Sequence, residues 1–346
     1  MSWSPFVTVV MPCRDEEPHI EKCVRSALAQ DWPRDQLEIL VADGMSMDSS
    51  REILARLASE DRRIQLIDNP ARVQAAGLNA CVRRARGEVI VRMDVHADYP
   101  TDFIRKCVEV LERTGADNVG GAARPRARTF FQRCVAAALV SPLAFGGSPY
   151  RNPEAEGFVE SVWPGAFRRA VFQRVGLFDP RAVTNEDAEL NQRIVEAGGR
   201  VYLSRDIRVH YYPRDSMRAL ARQYFKYGKG RARTLLKHRR FLSWRPALPF
   251  LWLTGEAALI ATSPWQPFGA LSLAMYALVT GAEAVRVGRN ESVAAIPVVW
   301  SIFPVLHVSH GAGFAAGLVR YALRPDWEPA ERLAPTIPAS EHVSAA

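Results

Sequence analysis

Four times between Phe6 and Leu111 a short run of branched apolar residues gives way to a helical apolar stripe, and few folds accommodate that order. The runs fall at residues 6–11, 37–42, 64–67 and 89–93. The first stripe places Ile20, Cys23, Val24, Ala27 and Leu28 at i, i+3, i+4, i+7 and i+8, and the last uses Phe103, Ile104, Cys107, Val108 and Leu111. Strands that alternate with helices on short connections pack as a parallel sheet with helices on both faces. The expected class is therefore α/β, with a Rossmann-like, mostly parallel sheet. Ligands bind such sheets at the carboxyl edge of the strands. Arg14, Asp15 and Glu16 follow the first run, Asp43 the second and Asp94 the fourth, so three segments are expected to meet in one crevice. No G-x-G-x-x-G follows the first run and no G-x-x-x-x-G-K-[ST] occurs anywhere, which argues against dinucleotide and P-loop binding. A nucleotide held by carboxylates and a metal remains open.

The fourth run ends in Asp94-Val95-His96-Ala97-Asp98. A carboxylate and an imidazole two residues apart can hold a divalent metal against a phosphate, and the same residues can serve as a turn cap and a surface histidine. Further on, residues 122–158 loosen into Arg-, Pro- and Gly-rich sequence around a helical piece at 130–139. Residues 159–163 read as a strand leading into Pro164-Gly165-Ala166-Phe167. A helix beginning near Asn185-Glu186-Asp187 carries acids at its positive end, where capping alone would also place them. It stops at Gly198-Gly199, and residues 200–203 read as one more strand.

Composition changes class near residue 240. Residues 200–245 hold fourteen Lys or Arg against two acids, and residues 246–323 are almost uncharged. A basic amphipathic helix at 216–238 therefore leads into a membrane region at 246–323 with two or three helices. A basic run directly before apolar segments points to anionic headgroups or a lipid diphosphate, and away from nucleic acid; it also marks a cytoplasmic flank. Residues 1–11 lack a basic, apolar leader, so residues 1–240 are expected in the cytoplasm as the soluble domain of a multi-pass inner-membrane protein. Five scattered cysteines without C-x-x-C spacing indicate buried thiols rather than disulfides or zinc. Residues 326–346, rich in Pro, Ala and Glu, read as a disordered tail.

Taken together, VTVVMPCRDEE, VADGMSMDSS, RARGEVIVRMDVHADYP, WPGAFRR, GLFDP and TNEDAELNQRI resemble family 2 glycosyltransferases of the GT-A fold, over residues 6–233. The nearest type is the membrane-bound bacterial one of succinoglycan biosynthesis. That resemblance implies inverting, metal-dependent transfer of a single sugar from a nucleotide-sugar donor, UDP-linked, to a lipid-linked saccharide, with proteins of polysaccharide assembly as further partners. Asp43 then reads the base, with Arg14 and Glu16 beside it. Asp94 and His96 match the first and last positions of the family's D-x-D, and His replaces the usual second Asp. A neutral imidazole suits Mn²⁺ better than Mg²⁺. Asp98 is a further acid that could help through water. Asp187 matches the general base, with Glu186, Trp163 and Gly165 on the acceptor side, Trp163 being either a sugar-stacking platform or a residue packed under the sheet. Gln223 and Lys226 echo the Q-x-x-R-W of processive members, with Lys and Tyr in place of Arg and Trp, which favours single-sugar transfer. Two other classes stay in view: a non-catalytic GT-A-like scaffold or sugar-binding partner, and a nucleotidyltransferase.

Overall fold

The computed structural model describes residues 3–240, 242–263 and 266–327. Its first half is the alternation read above: β1 (Val7–Cys13), α1 (Glu17–Leu28), β2 (Leu37–Asp43), α2 (Ser50–Glu60), β3 (Ile64–Asp68), α3 (Gln74–Arg84), β4 (Val89–Arg92), the two-residue β5 (Ala97–Asp98) and α4 (Phe103–Thr114). The second half adds β6 (Asn118–Pro125), α5 (Phe130–Leu139), α6 (Pro142–Phe145), β7 (Gly157–Phe158), β8 (Ala166–Arg168), α7 (Ala170–Val175), α8 (Glu186–Glu196), β9 (Val201–Tyr211) and α9 (Met217–His238). Three apolar helices follow: α10 (Leu248–Ala261), α11 (Phe268–Gly288) and α12 (Ala295–Leu323).

One sheet orders the strands β3-β2-β1-β4-β8-β6-β9-β5, with β7 beside β9. It is parallel from β3 to β4 and again between β6 and β9, while β8, β5 and β7 run antiparallel to their neighbours. Alternate residues face opposite sides, as a strand buried on both faces requires. Val7, Val9 and Met11 of β1 join the core with α1, α2 and α4, while Val10 joins the core with α3, α7 and α8.

Two readings shift. The strand expected at 159–163 lies at Ala166–Arg168, where it pairs with β4 and β6. The loosened stretch hides β6, whose Gly120 and Gly121 let Val162 and the Ile207 carbonyl press against its backbone, with a register shift between Gly121 and Ala123.

Of the C-terminal helices, α11 and α12 are long and apolar enough to cross a membrane, and α10, at 14 residues, is shorter than the roughly 20 a crossing needs. The expectation of up to three spans thus narrows to two candidates. Pro304 inside α12 does not interrupt it. The α/β half and the apolar helices share a core: Leu220 and Tyr224 of α9 and Cys134, Val135 and Ala138 of α5 pack with Ala284 of α11 and Val299, Phe303 and Leu306 of α12. Past α12, Asp326 accepts from Arg233 Nε at 2.7 Å, and its carbonyl accepts from Arg181 at 2.8 Å. Residues 328–346 of the expected tail lie outside the described residues.

Candidate active site

The parallel strands deliver their last residues to one edge. Asp43 ends β2, and its fully buried carboxylate accepts from Ser46 Oγ at 2.5 Å and from Arg51 at 2.9 Å. The β1 loop is tied to the same turn, because Asp15 N donates to Ser46 Oγ and Met47 N donates to Asp15. Arg14 packs its stem over Gly44 and pairs with Asp15 at 3.5 Å. This corner rests on short polar side chains closing tight turns around buried strand ends.

Asp94 follows β4 and is 3% exposed. Its Oδ1 accepts from Arg92 Nε at 2.8 Å, and its Oδ2 accepts from Arg92 Nη2 at 3.1 Å and from Trp163 Nε1 at 2.8 Å. The main-chain N–H of Asp94 donates to the Tyr99 hydroxyl at 2.6 Å. Arg92 also lies 3.0 Å from Glu186 Oε1, so one buried guanidinium joins Asp94 to the first residue of α8. Burial works against every charge in this group. Asp94 and Glu186 outweigh it and hold Arg92 charged, while Arg92 holds the Asp94 carboxyl below its ordinary value. Glu186 is less favoured: burial pushes it up to about 7, against the attraction of Arg92.

His96 sits outward, with a 58% exposed side chain 3.7 Å from Glu16, whose carboxylate raises the imidazole above its ordinary value. Asp187 occupies the first turn of α8, where its Oδ1 accepts from Ala188 N at 2.8 Å. The residue before α8, Asn185, takes a left-handed φ of 60° and donates its side-chain amide to the Tyr227 carbonyl at 3.0 Å, keying α8 to α9. Deeper in α8, the buried Glu189 accepts from Arg193, Lys237 and His238, locking the helix pair a second time.

Glu16, Arg92, Asp94, His96, Trp163, Glu186, Asp187, Gln223 and Lys226 all line one cavity of about 1350 Å³. The lining also includes Trp252 of α10, Tyr276 of α11, and Leu306, His307 and His310 of α12. Arg128, Arg214, Arg222 and Arg231 add cations to the lining.

Residues 8–175 match the model of glycosyl transferase family 2. The chain is 33% identical over 319 residues to the succinoglycan biosynthesis protein ExoA of Rhizobium meliloti, covering 91% of this chain and 96% of that protein. The chain belongs to glycosyl transferase family 2. A second relative over nearly the whole length is the dolichyl N-acetyl-alpha-D-glucosaminyl phosphate 3-beta-D-2,3-diacetamido-2,3-dideoxy-beta-D-glucuronosyltransferase of Methanococcus voltae, 24% identical over 326 residues, 91% of this chain and 98% of that one. Among solved structures, the mannosyltransferase PcManGT of Pyrobaculum calidifontis in complex with GDP-Man and Mn²⁺ superposes with a TM-score of 0.65 at 22% identity, over 92% of this chain and 88% of that one. That likeness fixes the GT-A fold.

Three of the residues anticipated for this glycosyltransferase's site lie outside the cavity lining. Arg14 and Asp43 form the separate β1–β2 corner. Gly165 packs behind, where a Cβ would come within 2.6 Å of Asn118 Oδ1, and its carbonyl accepts from Arg92 N. Asp98 is also elsewhere engaged, by Lys22, Arg126 and Tyr212, and it ties β5 to α1 and β9. The residue that sequence reasoning missed is Arg92. A charged residue one place short of the end of an apolar strand is a signal, because such a charge is buried only with partners.

Proposed function

We propose that this glycosyltransferase moves one sugar from a UDP-linked donor to a lipid-linked saccharide at the cytoplasmic face of the inner membrane, with inversion, in exopolysaccharide or cell-surface glycan synthesis. The observation that carries this reading is the single cavity: donor-side acids (Glu16, Asp94) and Asp187 line it together with Trp252, Tyr276 and His307 of the apolar helices. A saccharide presented from a lipid reaches such a space from the helix side.

Asp187 takes the proton of the acceptor hydroxyl as that oxygen attacks the anomeric carbon. The new glycosidic bond forms while the bond to the nucleoside diphosphate breaks, and the diphosphate leaves with both electrons. One displacement turns an α-linked donor into a β-linked product. Glu186, beside Asp187 and held by Arg92, orients the first turn of α8. Gln223 and Lys226 of α9 line the acceptor side, and Lys226 offers a point charge rather than a fork. Trp163, whose indole N–H is spent on Asp94, offers the cavity its ring.

A divalent metal fits the residues present in a partial way. Among the described residues no three His, Cys, Asp or Glu side chains converge closely enough to hold one alone. Asp94 keeps one acceptor position after its three N–H donors, and His96 and Glu16 face the same cavity. Asp94 and His96 would hold the ion, Glu16 would stand next to it, and the donor's phosphate oxygens would complete the shell; Mn²⁺ suits that mixed set better than Mg²⁺. When bound, it would neutralise charge on the departing diphosphate.

The test uses membranes carrying the full chain, a panel of labelled UDP- and GDP-sugars, and extraction of the lipids. One labelled glycolipid from a UDP-sugar is expected. Asp187→Asn should abolish that product and leave UDP binding intact, and persistent transfer by the variant would remove Asp187 from its role.

A further inference from the structure

A helix that crosses a bilayer separates its ends by a hydrocarbon layer of about 30 Å, and a domain on one side touches only one of them. Both ends of α12 touch the catalytic half. At its start, Ala295 and Val299 are buried against Cys134, Val135 and Ala138 of α5, and the preceding Glu291 lies 3.6 Å from Arg133 of the same helix. Toward its end, Gly313 and Gly317 press on the backbone of α9, at the Phe225 and Lys229 carbonyls. Asp326, just beyond, is held by Arg233 and Arg181. Between these points α12 runs beside α9, a helix carrying Arg222, Lys226, Lys229, Arg231 and Arg233. Each such charge is costly in hydrocarbon.

The end of α11 is tied to the same side, since Glu283 accepts from Ser141 in the turn after α5 and Val287 joins the shared core. The hairpin of α10 and the first part of α11 packs by one side on α12, through Pro249, Phe250 and Leu253 of α10 and Tyr276 of α11, and presents its other side outward. Between Pro246 and Ala282 the only charged residue is Glu256, and it is buried. Leu251, Ile260, Phe268, Leu271, Met275 and Leu278 are exposed, Leu278 to 68%. The exposed part of α11, residues 268–279, is about 18 Å long at ~1.5 Å per residue, close to half of a ~30 Å hydrocarbon core. Arginines stand at the base of the hairpin on both strands of the turn, Arg239, Arg240 and Arg245 before α10 and Arg286 and Arg289 at the end of α11, with the exposed Trp244 among them. That is the order of a headgroup layer: apolar tip, aromatic and cationic collar.

We propose that the protein is monotopic: the α10–α11 hairpin dips into one leaflet of an anionic bilayer, and α12 stays with the catalytic half, so that both loops at the ends of α12 remain on the catalytic side. This rests on the reading of a membrane-attached transferase and replaces spanning helices with a one-leaflet anchor. Trp252 and Tyr276, on the hairpin, and His307 and His310, on α12, line the cavity, so the reaction space opens at the level where the leaflet meets the domain.

The experiment is cysteine labelling in sealed right-side-out and inside-out vesicles from cells making the full chain. The five native thiols are buried, which leaves an introduced one readable. The exposed Asn290, in the loop before α12, and Ser263, at the hairpin tip, are each replaced (Asn290→Cys, Ser263→Cys) and exposed to a membrane-impermeant maleimide. Asn290→Cys is expected to react only in inside-out vesicles, and Ser263→Cys in neither kind, becoming reactive once detergent dissolves the bilayer. Labelling of Asn290→Cys from outside would show that α11 crosses and overturn the proposal. So would labelling of Ser263→Cys from outside, which makes the hairpin a crossing, or from inside, which leaves it out of the leaflet against water or a protein. Sugar transfer to extracted lipid is assayed on the same vesicles: its loss in the unsubstituted chain would sink the functional reading and leave the labelling pattern to judge the anchor alone.

Discussion

Gly313→Ala tests whether α9 and α12 are joined backbone to backbone. A Cβ at position 313 would stand 2.0 Å from the Phe225 carbonyl oxygen, where ordinary contact begins at 3.4 Å, so the helices must part by about 1.4 Å. The obstacle is main chain, so no rotamer change relieves it. Gly228 meets the His310 carbonyl at the same 2.0 Å from the other side, which blocks a sideways slip. Overpacking of this kind costs up to about 3 kcal/mol, and the better helix propensity of alanine returns about 1, for a net loss near 2 kcal/mol. At about 2.1 cal/mol/K per residue, 1 kcal/mol moves the melting temperature of a 346-residue chain by about 1.4 °C, so it should fall by about 3 °C. Turnover should fall further than stability suggests, because α9 carries Gln223 and Lys226 into the cavity, and a 1 Å misplacement can cost ~10²-fold. The assay is fluorescence-detected melting and sugar transfer on purified protein in detergent, with Ala316→Val, on the exposed side of α12, as a control expected to change neither. A Gly313→Ala protein that melts within about 1 °C of the parent and turns over normally would refute the close crossing.

Three further outcomes are expected. Arg92→Met leaves Asp94 and Glu186 buried without their cation and should cost about 3–5 kcal/mol in denaturant unfolding, whereas Arg92→Lys, keeping the charge but not the fork, should lose less. Glu186, raised from 4.5 to about 7, keeps its proton in the folded state after the unfolded chain has lost it; its contribution is full below about 4.5 and declines as pH rises to about 7, by about 3 kcal/mol relative to Glu186→Gln, and parallel urea-stability curves for the two proteins would contradict this. His96→Asp supplies an oxygen ligand in place of nitrogen, so after chelator treatment its transfer rate should recover better with Mg²⁺, relative to Mn²⁺, than the parent's does.

The βα units from β1 to α4 were readable because each is written locally, in a period that a dozen residues display. β6 was not, because Gly120 and Gly121 serve partners that arrive from residues 162 and 207, and no local window contains them. β8 was misplaced by several residues for a related reason: Ala166–Arg168 is defined by pairing with β4 and β6, not by its own short pattern. In the site, Asp94, Glu186 and Asp187 were visible as acids after strands and at a helix start. Arg92 was hidden in an apolar run, and its meaning lies in two partners that only folding supplies. The C-terminal helices show the reverse case. Their hydropathy reads as membrane crossings, while the contacts at the two ends of α12 are invisible to a window scan.

The amide that Asn185 lends to the Tyr227 carbonyl couples the start of α8 to α9, and α9 lies against α12. The proposed base, Asp187 on α8, is therefore referenced to α12 as well as to the sheet. With the α10–α11 hairpin as the proposed anchor, helix packing would set the height of Asp187 over the leaflet, and an acceptor hydroxyl would come level with it only when the saccharide carrying that hydroxyl has the right reach. On that proposal the Asn185 contact would make the transferase a gauge of acceptor length.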